Sequence, residues 1–267
     1  LDPTNYFIYS MISNLRSFDA IVLTRKLKDL HLFPYPSSRI FSISNLSTPK
    51  KIINYLALFT FRLSGRWMLY PYFLEVIKTK KPSLIHAHFG NAAWSYLKLK
   101  KKARIPMVTT FYGADISIYP RTQKWRKRYN EFFREGEKFI AISQHMKNKM
   151  MKLGCPEEKI EICHLTVDVK KFKFTTRTKK DEIKFLLVSR LVEKKGIPIL
   201  LNAFSKLIKG GEKVRLSIIG DGPFRTKIAR QIQELNLSKK VSLINGLSVP
   251  NPRQFIIKSY LDHDLFV

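Results

Sequence analysis

Cysteine is scarce in this 267-residue chain, with only two present. Cys155 and Cys163 cannot build a disulfide framework and stand in no CxxC or nucleophile context, so they read as ordinary thiols in a reducing compartment. The chain opens on no signal-peptide pattern and has no run of the ~20 uninterrupted apolar residues that a membrane-spanning helix needs. Its most apolar stretch, Ile52 to Ile77, is broken by Arg62, Gly65, Arg66, Pro71 and Glu75. That stretch reads either as a pair of packed helices or as a segment lying in a membrane interface. Internal repeats and low-complexity tracts are missing as well. Acidic residues are few: 20 Asp and Glu against 49 Lys and Arg give a net charge of +29. The excess is spread along the chain, with 29 basic and 12 acidic residues in 1–170 and 20 and 8 in 171–267. Such a field attracts nucleic acid, anionic lipid and diphosphates without choosing among them. Apolar material is plentiful, at 45% hydrophobic and 12% aromatic residues, which excludes a disordered polymer.

Short β-branched runs alternate with helical patterns from Phe18 onward. The expected strands are 18–25, 38–44, 83–88, 107–112, 138–143 and 159–165, with helical spacing at 6–15, 91–102 and 144–153. After a basic, aperiodic stretch at 170–180 the rhythm restarts, with strands at 184–189, 214–220 and 241–246 and helices at 196–208, 224–235 and 252–261. Strands alternating with helices predict βαβ units and parallel sheets, hence an α/β fold in two successive units. Leu1 rather than Met opens the chain, and Asp264 to Val267 reads as the start of a buried strand. Both ends are expected to be those of a fragment.

Open parallel sheets bind ligands beyond the carboxyl ends of their strands, and chemically useful residues fall at those places. Gly220-Asp221-Gly222-Pro223 follows one strand and precedes a helix. It reads either as a loop whose glycines let backbone approach an anionic ligand, or as a tight turn with Pro at the first helical position. Arg190 ends another strand and Lys195 precedes the next helix. A planar fork and a compact point charge together suit a diphosphate, and a solvated turn is the plain alternative. In the first half, His86, His88 and Gly90 end one strand, and Tyr112, Gly113 and Asp115 end the next. Two histidines at i, i+2 share a strand face without a third ligand, so a polar wall is expected there and a metal site is not. Asp115 could equally cap the helix that follows. The basic runs 98–104 and 121–128 read as solvated helix faces, or as contacts for anionic lipid or, through Trp125, for stacked bases.

In order, the segments LIHAHFG (84–90), VTTFYGADIS (108–117), AISQHMKNKMMKLGCPEEKIEICHLTVDVKKF (141–172), FLLVSRLVEKKGIPILLNAFSKL (185–207) and LSIIGDGPFRTKI (216–228) resemble family 4 glycosyltransferases. The similarity is to retaining enzymes of the GT-B architecture, in the branch that builds cell-envelope and exopolysaccharide chains. It implies two Rossmann-like domains facing across a cleft, both incomplete here. Residues 1–169 would be the acceptor-side domain without its first strand, 170–180 a linker, and 181–267 the nucleotide-sugar domain without its C-terminal part. The family's first strand and glycine-rich loop would precede Tyr6, and its paired glutamates would follow Val267. The 267 residues alone are therefore expected to be inactive.

By the same resemblance Arg190 and Lys195 would be catalytic, neutralising the departing diphosphate. Gly220, Asp221, Gly222, Pro223 and Gly246 would bind the donor, and His86, His88, Gly90, Tyr112, Gly113 and Asp115 would line the acceptor side. Tyr112 stands where many relatives carry His, and Thr166 where they carry Gly. The implied reaction moves a sugar from a nucleotide-diphosphate donor to a growing lipid-linked or oligosaccharide acceptor, with retention and without a metal or other cofactor. An anionic membrane surface would be a further partner and a specific nucleic acid would not. The implied location is the cytoplasmic face of the plasma membrane. The competing readings are a nucleotide-sugar epimerase on the same scaffold and a basic, non-catalytic protein that binds nucleic acid or anionic surfaces.

Overall fold

The computed structural model describes residues 6–27, 30–63, 71–172, 174, 176 and 181–267. The chain divides into two compact units, Leu1–Thr166 and Val167–Val267. Of the expected linker 170–180, residues 173, 175 and 177–180 lie outside the described residues.

Unit 1 runs α1 (Tyr6–Ser13), β1 (Val22–Thr24), β2 (Ile40–Ser42), α2 (Thr48–Leu63), α3 (Pro71–Lys80), β3 (Ile85–His88), α4 (Gly90–Ser95), α5 (Leu97–Ala103), β4 (Met107–Phe111), α6 (Ala114–Ser117), α7 (Gln123–Glu135), β5 (Lys138–Ala141), α8 (Gln144–Lys152) and β6 (Ile160–Ile162). Strands β3-β4-β5-β6 form a four-stranded sheet in sequence order, every pair parallel, with Ala87 opposite Thr109 and Thr110 opposite Ile140. The expected strands at 18–25 and 38–44 shorten to three residues each and pair with one another in a separate parallel ribbon.

The largest core of this unit is aromatic. Helix α7 places Trp125, Tyr129, Phe132 and Phe133 at i, i+4, i+7 and i+8, one face of a helix. The last three are buried against Phe111 of β4 and Phe139 of β5, whose ring centroids lie 5.2 to 6.3 Å from those of Phe132 and Phe133. Trp125, weighed above as a stacking platform, is packed inward instead. Its ring meets Trp94 edge-on at 6.0 Å, and the Arg128 guanidinium lies 4.2 Å and 4.8 Å from the ring centres of Trp94 and Trp125. The helix expected over 91–102 breaks at Tyr96 into α4 and α5. The break serves two cores at once: Leu97 packs into the aromatic core, while Leu99 joins Phe73 and Ile77 of α3 and Ile43 in a second cluster.

The stretch 52–77 supplies α2 and α3, with residues 64–70 outside the described set. Helix α3 buries Phe73, Val76 and Ile77. Among the described side chains of α2 only Asn54 is buried. Among the described residues no helix is long and apolar enough to cross a membrane.

Unit 2 runs β7 (Ile183–Val188), α9 (Ile197–Lys209), β8 (Val214–Ile219), α10 (Arg225–Glu234), β9 (Val241–Ile244), α11 (Pro252–Asp262) and β10 (Leu265–Phe266). All its strand pairs are parallel, in the order β10-β7-β8-β9. Ile197, Leu201 and Phe204 of α9 and Ile228 and Ile232 of α10 close over Leu187, Leu216 and Ile218 of the sheet. The terminal strand forms, with Val267 N–H donating to Leu186 O at 2.9 Å, but it is not the buried strand expected. It is the sheet edge, and Leu265 and Phe266 are half exposed. Strand order reverses beside β7, with β8 and β9 on one side and β10 on the other. Such a reversal marks the ligand crevice of open α/β sheets. The expectation of α/β units with parallel sheets is thus met throughout.

Candidate functional site

Each unit gathers its sequence-predicted residues at the carboxyl ends of its strands, by different means. In unit 1, His86 and His88 project from the same face of β3, with ring centroids 4.5 Å apart. His86 Nε2 bonds Thr110 Oγ1 at 2.8 Å, and His88 Nδ1 bonds the Tyr112 hydroxyl at 2.7 Å. Burial, reinforced by neighbouring His86, lowers the His88 pKa to about 3, and burial lowers that of His86 as well. Burial also raises the Tyr112 pKa, so the phenol keeps its proton. The wall at neutral pH is therefore two neutral imidazoles and a phenol. It can hydrogen-bond a polyhydroxy ligand but carries no charge. Among the described residues no group of three or more His, Cys, Asp or Glu side chains is placed to hold a metal ion.

Beneath this wall sits Asp115, 1% exposed. Its carboxylate accepts from the backbone N–H groups of Gly90 (3.1 Å), Tyr112 (3.1 Å) and Gly113 (2.7 Å). Tyr129 holds it from below by donating its hydroxyl to the Asp115 carbonyl. Burial moves the Asp115 pKa upward, against the pull of these backbone bonds. Asp115 therefore fastens the β3–α4 loop to the β4–α6 loop; it is a positioning residue rather than a wall residue. Gly90 is buried too, because a Cβ there would stand 2.0 Å from the Phe111 ring. It does not line a ligand surface. Gly113 does face open space, at φ +143°.

Two contributors escaped the sequence reading. Phe7 of α1 brings its ring to 4.7 Å from that of Tyr112. Phe89, at φ 67°, occupies the left-handed region that non-glycine residues avoid, and packs 4.8 Å from Tyr112 on another side. Neither carries a periodic or compositional signal.

In unit 2 the backbone does the positioning. The loop after β7 and the loop after β8 are joined by hydrogen bonds from Leu191 N–H to Asp221 O (2.9 Å) and from Phe224 N–H to Leu191 O (3.0 Å). A Cβ on Gly220 would lie 1.9 Å from Ser189 O, and one on Gly222, at φ +154°, 2.5 Å from Leu191 O. These glycines are required for loop-to-loop approach, a role the sequence reading did not weigh. Gly246 is tight for a related reason, its Cβ position lying 2.6 Å from Ile219 Cγ2. Asp221 accepts from Gly222 N–H at 2.9 Å and from Asn245 Nδ2 at 3.4 Å, which brings the loop after β9 alongside. The alternative reading of a tight turn with Pro223 at the first helical position is not what forms, since α10 begins at Arg225. Arg225 was also missed. Its guanidinium donates to Gly220 O and Leu243 O and ties the ends of β8 and β9 together.

Arg190 and Lys195 ride on this framework at the strand-order reversal. Arg190 is adjacent to fully buried Leu191, and Lys195 ends a single 3-10 turn (Glu193–Lys195) before Gly196 at φ 64°. Both side chains are exposed, and neither forms an ion pair with a described residue. The loop presents two free cations from a rigid base.

Comparisons with known proteins agree with this division. A family model described as Glycosyltransferase Family 4 matches residues 15–171, and one described as Glycosyl transferases group 1 matches residues 168–267. The putative colanic acid biosynthesis glycosyltransferase WcaL of Escherichia coli is 30% identical over 160 residues, which are 59% of this chain and 39% of that protein. The amylovoran biosynthesis glycosyltransferase AmsK of Erwinia amylovora is 30% identical over 199 residues, 72% of this chain and 48% of that one. The chain thus spans about half the length or less of these relatives. Anabaena Alr3699/HepE, solved with UDP and glucose, superposes with a TM-score of 0.66 at 18% identity, covering 90% of this chain and 65% of that one. A glycosyltransferase from Rickettsia africae superposes at 0.61 with 21% identity over 85% of this chain and 58% of that one.

Proposed function

The chain belongs to Glycosyltransferase Family 4, and from that membership we propose that it is part of an enzyme moving a sugar from a nucleotide-diphosphate donor to a growing, lipid-linked glycan of the cell envelope. The transfer proceeds with retention of anomeric configuration and without a metal, at the cytoplasmic face of an anionic membrane. The observation that carries this reading is the pair of exposed, unpaired cations, Arg190 and Lys195, on a loop sewn by backbone bonds into the strand-order reversal of unit 2.

As the bond between the anomeric carbon and the diphosphate breaks, negative charge collects on the phosphate oxygens. A guanidinium fork and an ammonium held on a fixed loop meet that charge without reorganising, which is the largest single contribution in most such steps. The tight glycines keep the loop from sagging away from the charge. The neutral wall of His86, His88 and Tyr112 has the complementary character: it offers hydrogen bonds to hydroxyls and no electrostatic attraction to the diphosphate.

The test uses the full-length protein, with UDP-glucose as the first donor because the Anabaena neighbour was solved with UDP and glucose. Arg190→Ala and Lys195→Ala should each lower turnover roughly 10²–10³-fold. Unchanged turnover in both variants overturns the assignment. Product anomers read by NMR test retention, and turnover in excess chelator tests the metal-free mechanism.

A further inference from the structure

Unit 2 carries a chain of hydrogen bonds away from its strand-end loops. Strand β8 turns Leu216 and Ile218 toward the core under α9 and α10, so the pleat sends Ser217 to the other face of the sheet. There its Oγ lies 2.8 Å from Nε2 of His263, the residue that ends α11. The other ring nitrogen, Nδ1, lies 2.7 Å from Ser259 O. A carbonyl oxygen only accepts, so Nδ1 carries the ring proton. In the neutral imidazole Nε2 is then bare and accepts from the Ser217 hydroxyl. On the far side Ser242, the register partner of Ser217 on β9, donates its hydroxyl to Ser217 Oγ at 3.3 Å. The chain therefore runs in one direction, from Ser242 through Ser217 and His263 to Ser259 O.

A serine hydroxyl on a bare imidazole nitrogen, with the imidazole oriented by a third group, is the arrangement that turns a hydroxyl into a nucleophile. Two further features favour it here. Ser259 O is one of the last four carbonyls of α11, which find no partner within the helix. The partial negative charge of that helix end stabilises the positive charge that His263 gains with a proton. The place is also open, since Ser242 is exposed and Ser217 and His263 are only partly buried. The backbone N–H groups of β8 are engaged between β7 and β9, which leaves the Ser242 hydroxyl as the donor beside a developing oxyanion. One hydroxyl makes a weak oxyanion hole, so a substrate here needs a good leaving group.

We infer that Ser217 is a nucleophile activated by His263, a second reactive site in unit 2 that takes acyl groups from activated esters. Ser217 Oγ attacks the ester carbonyl as His263 Nε2 takes its proton. The bond to the leaving oxygen then breaks, and the leaving group departs as an aryl alcohol with the proton from His263. Water, giving a proton to His263 in turn, attacks the acyl carbon, and the carboxylic acid leaves as Ser217 recovers its hydroxyl. The sum is hydrolysis of the ester. Neither Arg190 nor Lys195 takes part, so the inference stands apart from sugar transfer.

The experiment treats the full-length protein with a biotinylated fluorophosphonate, maps the label by peptide mass, and follows p-nitrophenol release from p-nitrophenyl acetate. The expected result is a label on Ser217 that is absent from Ser217→Ala, kept in Ser242→Ala, and formed roughly tenfold or more slowly in His263→Gln, which lacks the base. Release of p-nitrophenol should fall by a similar factor in Ser217→Ala and His263→Gln. No label on wild type, a label on Ser242 or elsewhere in place of Ser217, or equal labelling of His263→Gln each overturns the inference. His263 also fastens α11 to the sheet, so a His263→Gln variant that unfolds is replaced by wild type labelled with and without urea. A Ser217 label that forms only on the folded protein supports the inference, and one that forms equally fast on the unfolded chain overturns it.

Discussion

The strand ends of the two units solve the same problem with different parts. Unit 1 holds its wall by side chains: imidazole to hydroxyl, phenol to imidazole, and one buried carboxylate bonded to three backbone N–H groups. Unit 2 holds its loops by backbone against backbone, with glycine where a Cβ would collide, and leaves Arg190 and Lys195 exposed to solvent. The first arrangement fixes orientation and removes charge. The second fixes only where the two basic side chains start from.

The sharpest way to break this contrast is one methyl group. Gly220→Ala places a carbon on the Ser189 carbonyl, a backbone atom that cannot move without dragging β7, and should cost unit 2 about 3 kcal/mol or more. Gly90→Ala meets the Phe111 ring at a similar separation, and that ring is fully buried against Tyr129, Phe132, Phe133 and Phe139, so the cost to unit 1 should be comparable. Urea denaturation of both variants checks this, and an unchanged stability of Gly220→Ala would remove the argument that its role is loop contact.

Next comes Asp115→Ala. It leaves buried N–H groups at Gly90, Tyr112 and Gly113 without their acceptor, at about 1–3 kcal/mol for a stranded group, and should destabilise unit 1 by about 3 kcal/mol. The loss should be smaller but still marked for Asp115→Asn, whose single oxygen can serve either Gly90 N–H or Gly113 N–H while its amide nitrogen faces the other. A fully stable Asp115→Asn variant would show that one of these bonds is dispensable.

A smaller effect is the acid response of unit 1. His88 is held neutral in the fold down to a pKa of about 3, whereas the unfolded side chain takes a proton near its ordinary value of 6.5. Between those values the unfolded state binds more protons, so stability should fall as pH drops through that window. Melting curves at pH 7 and pH 4 should show a larger loss for wild type than for His88→Gln. The smallest effect belongs to the cations themselves. Arg190→Ala and Lys195→Ala should change stability by less than about 0.5 kcal/mol, since both side chains are exposed and unpaired, whatever they do to turnover.

Much of the architecture was legible because strands and helices write local patterns. The β-branched runs that became β3, β4, β7 and β8, and the i, i+4, i+7 apolar spacing of α7 and α9, encode structure within ten residues of themselves. The placement of site residues at strand ends follows from the same patterns. What stayed illegible depends on partners distant in sequence. Nothing near Gly220 says that Ser189 will press against it, and nothing near Gly90 announces Phe111. The break at Tyr96 follows from two cores that meet across α5, and nothing near Ser217 says that His263 will reach it. A glycine or a serine in a sequence shows what it permits, and only its distant neighbour shows what it is used for.

The guanidinium of Arg128 set against Trp94 and Trp125 gives the molecule an optical asymmetry. All three tryptophans of the chain, Trp67, Trp94 and Trp125, fall within Leu1–Thr166, and none falls in Val167–Val267. Intrinsic fluorescence excited at the indole band is therefore blind to the second unit. The far-ultraviolet ellipticity sums both units, so a transition that it shows and the emission does not belongs to the unit fastened by its own backbone.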